Sequence, residues 1–299
     1  MLTAEEIAAR RTAIAASPDL AALLATVEAR IAPLLRQRPV IPTAKALLSV
    51  DGGICPDDAA SLLFDPWSAD SHRCIKCGAA VRGERHDRHW AKHQHLWLAE
   101  RTADLATVGV MAERDDAAAL AADLLRHYGE HYFEYPARDN VLGPARLFFS
   151  TYLESVWLTG MLAAAVLLRE DGRLDEATAS AVNQLADEAA NLIGDFDEGR
   201  SNRQTWNDAA LMAVAVWFED EELAQRALEA PSGLVAHLLE GFGPDGLWYE
   251  GENYHLFALR GLLLGIDWAR DAGVDLIADS ALADQLDAAL RAPALTALP

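Results

Sequence analysis

Along most of the chain the apolar positions return every three or four residues, the period of a helix with one buried face, and strand-like alternation is scarce. The spacing predicts helices over 4–15 and 18–37, then over 90–108, 114–133, 145–170, 174–197, 202–218, 220–229, 232–240, 253–272 and 279–291. The second opens on Ser17 as cap, with Pro18 at the first helical position and Asp19 at the positive end of the dipole; Pro39 and Pro42 close that hairpin. Met161–Leu168 and Leu211–Phe218 are apolar nearly all round, as expected of inner helices covered on several sides. Helices paired by short turns predict an all-α fold, an incomplete (α/α) toroid or barrel of antiparallel pairs, although periodicity does not separate a ring from an open solenoid. There is no strict repeat and no composition break. We read one domain over 1–299: a helical hairpin to residue 49, an irregular cysteine-bearing segment over 50–89, and a helical body beyond.

The irregular segment is where the period fails. Gly52, Gly53, Pro56, Pro66, Gly78 and Gly83 punctuate it, and it holds all three cysteines. A loop that long needs a staple. Cys74-Ile-Lys-Cys77-Gly78 has the knuckle spacing that lets two thiolates grip one tetrahedral Zn²⁺, and Cys55 supplies a third ligand. For the fourth we take His72, two residues before Cys74, with His86 and Asp58 as rivals. Four protein ligands would make the zinc structural; the plainer reading is three buried, reduced cysteines. An odd cysteine count argues against a disulfide framework. The run His86, His89, His93, His95 sets two imidazoles one turn apart, but no carboxylate completes a metal set, and packing or solvation explains it better than a sugar contact by His89 and Trp90.

Charge narrows the partners. Lys plus Arg number 25 against 46 Asp plus Glu, a net −21, which repels nucleic acid and anionic membrane surfaces. The opening residues lack an apolar signal core, and no apolar run reaches the length of a membrane span. A cytoplasmic protein is expected, or a periplasmic or secreted one if a leader has been removed.

Two stretches carry candidate chemistry. In Ser201-Asn-Arg-Gln-Thr-Trp-Asn207, Ser201 or Asn202 caps a helix, and capping explains one such residue. It does not explain Asn202, Arg203, Gln204, Trp206 and Asn207 together, a set of amide donors, a cation and an aromatic plate suited to a carboxylated sugar at a helix N-terminus. The second stretch runs from Gly241 to Arg260. Glycine or proline at 241, 243, 244, 246 and 251 makes a loop, interleaved with Trp248, Tyr249 and Glu250, and after Asn253 a helix begins that bears Tyr254 and His255 in its first turn. Singly these are packing aromatics and solvated acids; their density argues for a site. A tyrosine titrates near about 10, so Tyr254 needs cations such as Arg203, Arg260 or His255 nearby to act as a base. Given the net charge, a locally basic surface around Arg203 and Arg260 is expected for a polyanion.

The order of these motifs resembles a family. Cys55, Phe64-Asp-Pro66 and His72-Arg-Cys74-x-x-Cys77-Gly, then Gly143-Pro-Ala-Arg-Leu147 with Glu154 and Trp157, then Ser201-Asn-Arg-Gln-Thr-Trp206, then Asp245-Gly-Leu-Trp-Tyr-Glu-Gly251 with Tyr254-His-x-x-Ala-Leu259, are similar to the heparinase II/III-like polysaccharide lyases. The likeness spans about residues 50 to 275 and covers their N-terminal α/α-toroid domain. It implies β-elimination on an anionic uronic-acid polysaccharide or oligosaccharide. By resemblance Asn202 binds the uronate carboxylate and Tyr254 takes the C5 proton or protonates the leaving oxygen. Arg203 stands where several lyases carry histidine, which leaves His255 as a second catalytic candidate; Arg203, Gln204, Trp206, Asn207, Trp248, Tyr249, Glu250 and Arg260 would bind substrate. The family's C-terminal β-sandwich is not in this sequence, from which weak activity of the chain by itself is expected.

Two other readings compete. An inverting glycoside hydrolase on the same fold would use two of Asp245, Glu250 and Glu252. A non-catalytic carbohydrate-binding protein would hold oligouronates without cleaving them.

Overall fold

The computed structural model describes residues 3–296, which fall into two compact units, one up to Ala189 and one from Ala190. The first contains α1 (Ala4–Ala16), α2 (Pro18–Arg36), a two-stranded antiparallel hairpin of β1 (His72–Arg73) and β2 (Ala80–Val81), α3 (Glu84–Met111), α4 (Asp115–His131) and α5 (Thr151–Glu170). α6 (Glu176–Gly194) runs from the one into the other. The second unit contains α7 (Gln204–Phe218), α8 (Glu221–Glu229), α9 (Leu234–Glu240), α10 (Glu252–Asp271) and α11 (Ser280–Thr296). Short 3₁₀ turns cover Tyr132–Glu134 and Leu276–Ala278. The all-helical expectation holds, and most predicted boundaries agree to within a turn.

In the first unit α3 is the spine. It packs on α5, α4 and α2, and Gly160 of α5 lets the two backbones close up, since a Cβ there would lie 3.2 Å from the Ala99 carbonyl. α3 begins at Glu84 instead of near residue 90. Gly83, at φ +121°, turns the chain into it, and Glu84 and Asp87 set acidic groups on the positive end of its dipole. α5 begins at Thr151 instead of 145, and the cause is a buried carboxylate. Glu154 takes the N–H groups of Leu147 (3.2 Å) and Phe148 (3.3 Å) together with the Tyr132 hydroxyl (2.6 Å), which holds the preceding segment out of the helix. α5 is also long and apolar enough to cross a membrane by composition, a length the sequence reading did not credit to any run; 78% of that window is buried, as in the core helix of a packed unit.

In the second unit α7 is the central element, buried along nearly its whole length from Gln204 to Trp217. α10 lies against it, α8 follows it, and α11 packs on α9. The α7–α10 contact is close because position 261 has no side chain: a Cβ on Gly261 would collide with Thr205 Oγ1 and stand 3.1 Å from Trp206 Cδ1. Thr205 cannot swing away freely, since its hydroxyl donates to the Asn202 carbonyl at 2.8 Å. Gly261→Ala is therefore expected to destabilise the protein by about 1–3 kcal/mol despite the better helix propensity of alanine, read as a lower denaturant midpoint with unchanged slope.

Candidate functional site

The first turn of α7 lies against the second and third turns of α10. Trp206 Nε1 donates to the Phe257 carbonyl at 3.0 Å, their rings are 5.3 Å apart, and Arg260 sits 5.6 Å over the Trp206 ring. Asn202, two residues ahead of α7, and Tyr254, in the opening turn of α10, are thus brought to the same end of one helix pair. Asn202 is 3% exposed, whereas Tyr254 is 50% exposed and nothing among the described residues hydrogen-bonds its hydroxyl. Arg203, at the N-cap of α7, makes no side-chain cap bond; the Ser201 hydroxyl accepts from Gln204 N at 3.1 Å.

The loop between α9 and α10 is fastened to this end by one carboxylate. Glu250 Oε2 accepts from the Asn202 main-chain N–H (2.7 Å), the Asn202 side-chain amide (2.8 Å) and the Trp248 indole (2.8 Å). Burial pushes the Glu250 carboxyl up, but the Trp248 and Asn202 donors and the Arg203 charge outweigh it and hold the group below the usual range. A carboxylate kept ionised in this way is ill suited to the proton-donating role that hydrolysis would require of it. Tyr249, half exposed, donates from its hydroxyl to the Arg200 carbonyl.

Several predicted contact residues turn inward. His255 is buried; its Nδ1 accepts from Trp248 N at 3.1 Å and its Nε2 donates to the Ala289 carbonyl at 3.0 Å, so both ring nitrogens are engaged with backbone and it ties the loop to α11 instead of presenting a catalytic edge. Gln204, itself buried, donates to the buried Asp208 Oδ1 (2.8 Å) and accepts from Glu198 N (3.0 Å) and the buried Asn207 amide (3.2 Å). Trp206 and Trp248 are buried as well, and meet neighbours by ring and N–H. Arg203 pairs with Glu198, whose side chain is 2% exposed, so much of the cation expected for a polyanion is balanced from below.

The sequence reading missed the polar layer under the site. Asp208 follows Gln204 by one turn on a helix otherwise apolar beyond it, and His237 sits among apolar residues of α9; a lone acid and a lone histidine in such runs were the available signal. His237 Nδ1 donates to the Gly233 carbonyl at 3.0 Å and stands 3.4 Å from Asp208 Oδ2, which no hydrogen bond from the described residues reaches. Burial pushes the Asp208 carboxyl up to about 6, against the pull of His237 and Gln204.

In the first unit the cysteines converge as predicted, but with a different fourth partner. The ligand atoms of Cys55, Asp58, Cys74 and Cys77 all lie within 4.8 Å of one another. His72 is turned away: its Nε2 meets Asp87 Oδ1 at 2.9 Å and its ring stacks on Trp90. His86 bonds the Gly52 carbonyl and is buried. A tetrahedral Zn²⁺ with Zn–S of about 2.3 Å and Zn–O of about 2.0 Å implies S···S edges of about 3.8 Å and S···O edges of about 3.5 Å. Cys55 Sγ and Cys77 Sγ are 3.8 Å apart, and Cys74 Sγ lies 3.4 and 3.5 Å from the two Asp58 oxygens. The spacing is that of ligands, far outside a disulfide bond, and all three cysteines are free. The hairpin forms the knuckle: Cys74 N donates to Ala79 O at 2.9 Å and Gly78 N to Cys74 O at 3.1 Å, with Gly78 at φ +74°. The histidine run forms no such set among the described residues; His89 bonds the Ser49 carbonyl and His95 the Tyr128 hydroxyl.

Comparison with known proteins agrees with this architecture. Among solved structures the chain is similar to alginate lyase A1-III from Sphingomonas species A1, with 14% identity and a TM-score of 0.54, covering 98% of this chain and 79% of that one. No curated protein matches it in sequence. The fold is the all-α, α/α-toroid type of that polysaccharide lyase. The sequence model of the alginate lyase family matches residues 81–294, and the chain belongs to that family. It is a polysaccharide lyase, a class that cleaves uronic-acid polymers by β-elimination. The heparinase II/III-like resemblance therefore found the class of enzyme and the toroid, while the family is that of alginate lyases.

Asp208 supplies a test of the polar layer. A carboxyl raised in the folded state contributes stability that is full below its unfolded value, near pH 4, and is lost as pH rises through about 6. Relative to Asp208→Asn, the native protein should lose up to about 3 kcal/mol across that window, measured by denaturant unfolding at a series of pH values.

Proposed function

We propose that the chain depolymerises alginate, with Asn202 gripping the uronate carboxylate and Tyr254 moving the proton. The observation that supports this reading is the packing of α7's first turn on the second and third turns of α10, with a buried amide just ahead of α7 and an exposed phenol in the opening turn of α10. The C5 proton of a uronate is weakly acidic because its removal drives charge onto the carboxylate oxygens. A fixed amide donor stabilises that charge where it develops. The Tyr254 phenolate takes the C5 proton, the electron pair passes into the carboxylate, and its return forms the C4=C5 double bond as the C4–O bond breaks. The proton on Tyr254 then goes to the leaving glycosidic oxygen, so one residue serves in both directions. Arg260, over the Trp206 ring, would add positive charge to that end.

Tyr254→Phe is expected to lower turnover by about 10²–10⁴-fold, with thermal unfolding close to the native protein, and Asn202→Ala by about 10²–10³-fold. The measurement is the ultraviolet absorbance of the unsaturated uronate, on alginate and, for comparison, heparan-type chains. Faster release from heparan-type chains than from alginate would overturn the substrate assignment, and an unimpaired Tyr254→Phe would overturn the mechanism.

We further propose that Cys55, Cys74, Cys77 and Asp58 hold one structural Zn²⁺. The tetrahedral edges among their ligand atoms support it, and four protein ligands close the site to water. Bound there, the ion would pin the irregular segment in place of a larger core. Purified protein should carry about one zinc per chain, Cys74→Ser should lose it, and chelation should lower the melting temperature. Metal-free protein that melts unchanged after zinc is added would refute the assignment.

A further inference from the structure

The three N–H groups that converge on Glu250 are arranged as a receptor for a carboxylate. Two come from Asn202, main chain and side chain, and one from the Trp248 indole, all reaching a single oxygen within 2.7–2.8 Å. The donors are fixed. Asn202 is 3% and Trp248 1% exposed, and the indole is held edge-on by Phe242 at 5.3 Å and face-on by His237 at 6.0 Å. The acceptor is the opposite case. Glu250 is an exposed loop residue, followed by Gly251 at φ +103°, around which a Cβ would meet nothing within 4 Å. Buried N–H groups of this kind require an acceptor at all times, because leaving one unpaired costs about 1–3 kcal/mol.

We propose that Glu250 is an internal stand-in for the substrate's acid group: it fills the Asn202–Trp248 nest in the free protein and is exchanged for the uronate carboxylate on binding. The inference rests on the reading of Asn202 as the uronate-binding residue. Two ionised carboxylates do not share three donors, so the incoming acid displaces the resident one and the loop side chain swings into solvent. A neutral sugar offers no group of equal strength and leaves Glu250 in place, which makes the nest a filter for acidic residues of the polymer. The exchange lowers apparent affinity by the fraction of molecules in which Glu250 is displaced; at about one in ten, the loss is about tenfold.

The test uses the Tyr254→Phe background, where binding is read without turnover, and a saturated oligouronate as probe in calorimetry. Glu250→Ala should bind about tenfold more tightly than its parent, and Glu250→Gln, which keeps the shape and a neutral acceptor, should fall between. In parallel, the Trp248 indole N–H resonance of the Glu250→Ala protein should shift to saturation when a uronic acid monomer is added, and should move far less in the native protein. Weaker binding by Glu250→Gln with an unchanged melting temperature, or an indole resonance that ignores uronate in both proteins, would overturn the proposal. If Asn202→Ala leaves oligouronate binding intact, the function reading itself fails. If Asn202→Ala abolishes binding while Glu250→Gln weakens it, only the stand-in role of Glu250 fails.

Discussion

A buried N–H group must find an oxygen, and the start of α7 is built around that demand. The main-chain N–H and amide of Asn202 and the indole of Trp248 lie where water does not reach freely, and one carboxylate oxygen serves all three. The loop between α9 and α10 takes its course from this convergence, with the antiparallel contact between Phe242 and Trp248 and the His255 imidazole holding the other side. Below it the same rule orders a second layer, in which Gln204 mediates between Asp208, Asn207 and the Glu198 backbone. The phenol of Tyr254, half exposed, differs from these buried and mostly engaged groups.

The helices were legible because burial on one face imposes a period, and the period is local. Their ends were legible where a cap or a proline sets them, as at Ser17 and Pro18. They were not legible where a distant side chain competes for backbone N–H groups. Residues 145–150 have a helical pattern, yet Glu154, later in the chain, takes the N–H groups of Leu147 and Phe148. The start of α3 was hidden for a related reason: its first two turns carry His86, Asp87, Arg88 and His89, which reach back to Gly52, His72, Lys45 and Ser49 and leave no apolar stripe to read.

The site divides the same way. Asn202 and Tyr254 were singled out by residue type and by motif order, and they lie just ahead of α7 and in the opening turn of α10, two helices that pack together. Which of the surrounding polar residues face outward was not identifiable, because Gln204, Asn207 and His255 satisfy one another or the backbone across the fold. In the cysteine cluster the three sulfurs followed from spacing, but the fourth partner did not. His72 precedes Cys74 by two residues and lies in the same strand arrangement, yet the hairpin register with Val81 sets it on the Asp87 side, and Asp58 arrives from the loop after Cys55. Motif order also selected the right class of enzyme while leaving its family to be settled over the longer stretch of chain.

The imidazole of His255 bridges the Trp248 backbone to the Ala289 carbonyl, and so the final helix is a footing for the loop that carries Trp248 and Glu250. Gly246 adds a second bearing point, since a Cβ there would stand 2.5 Å from the Ala288 carbonyl. A shortened chain ending ahead of position 288 would keep Asn202, Trp248, Glu250 and Tyr254 and still lose the ground on which their loop stands.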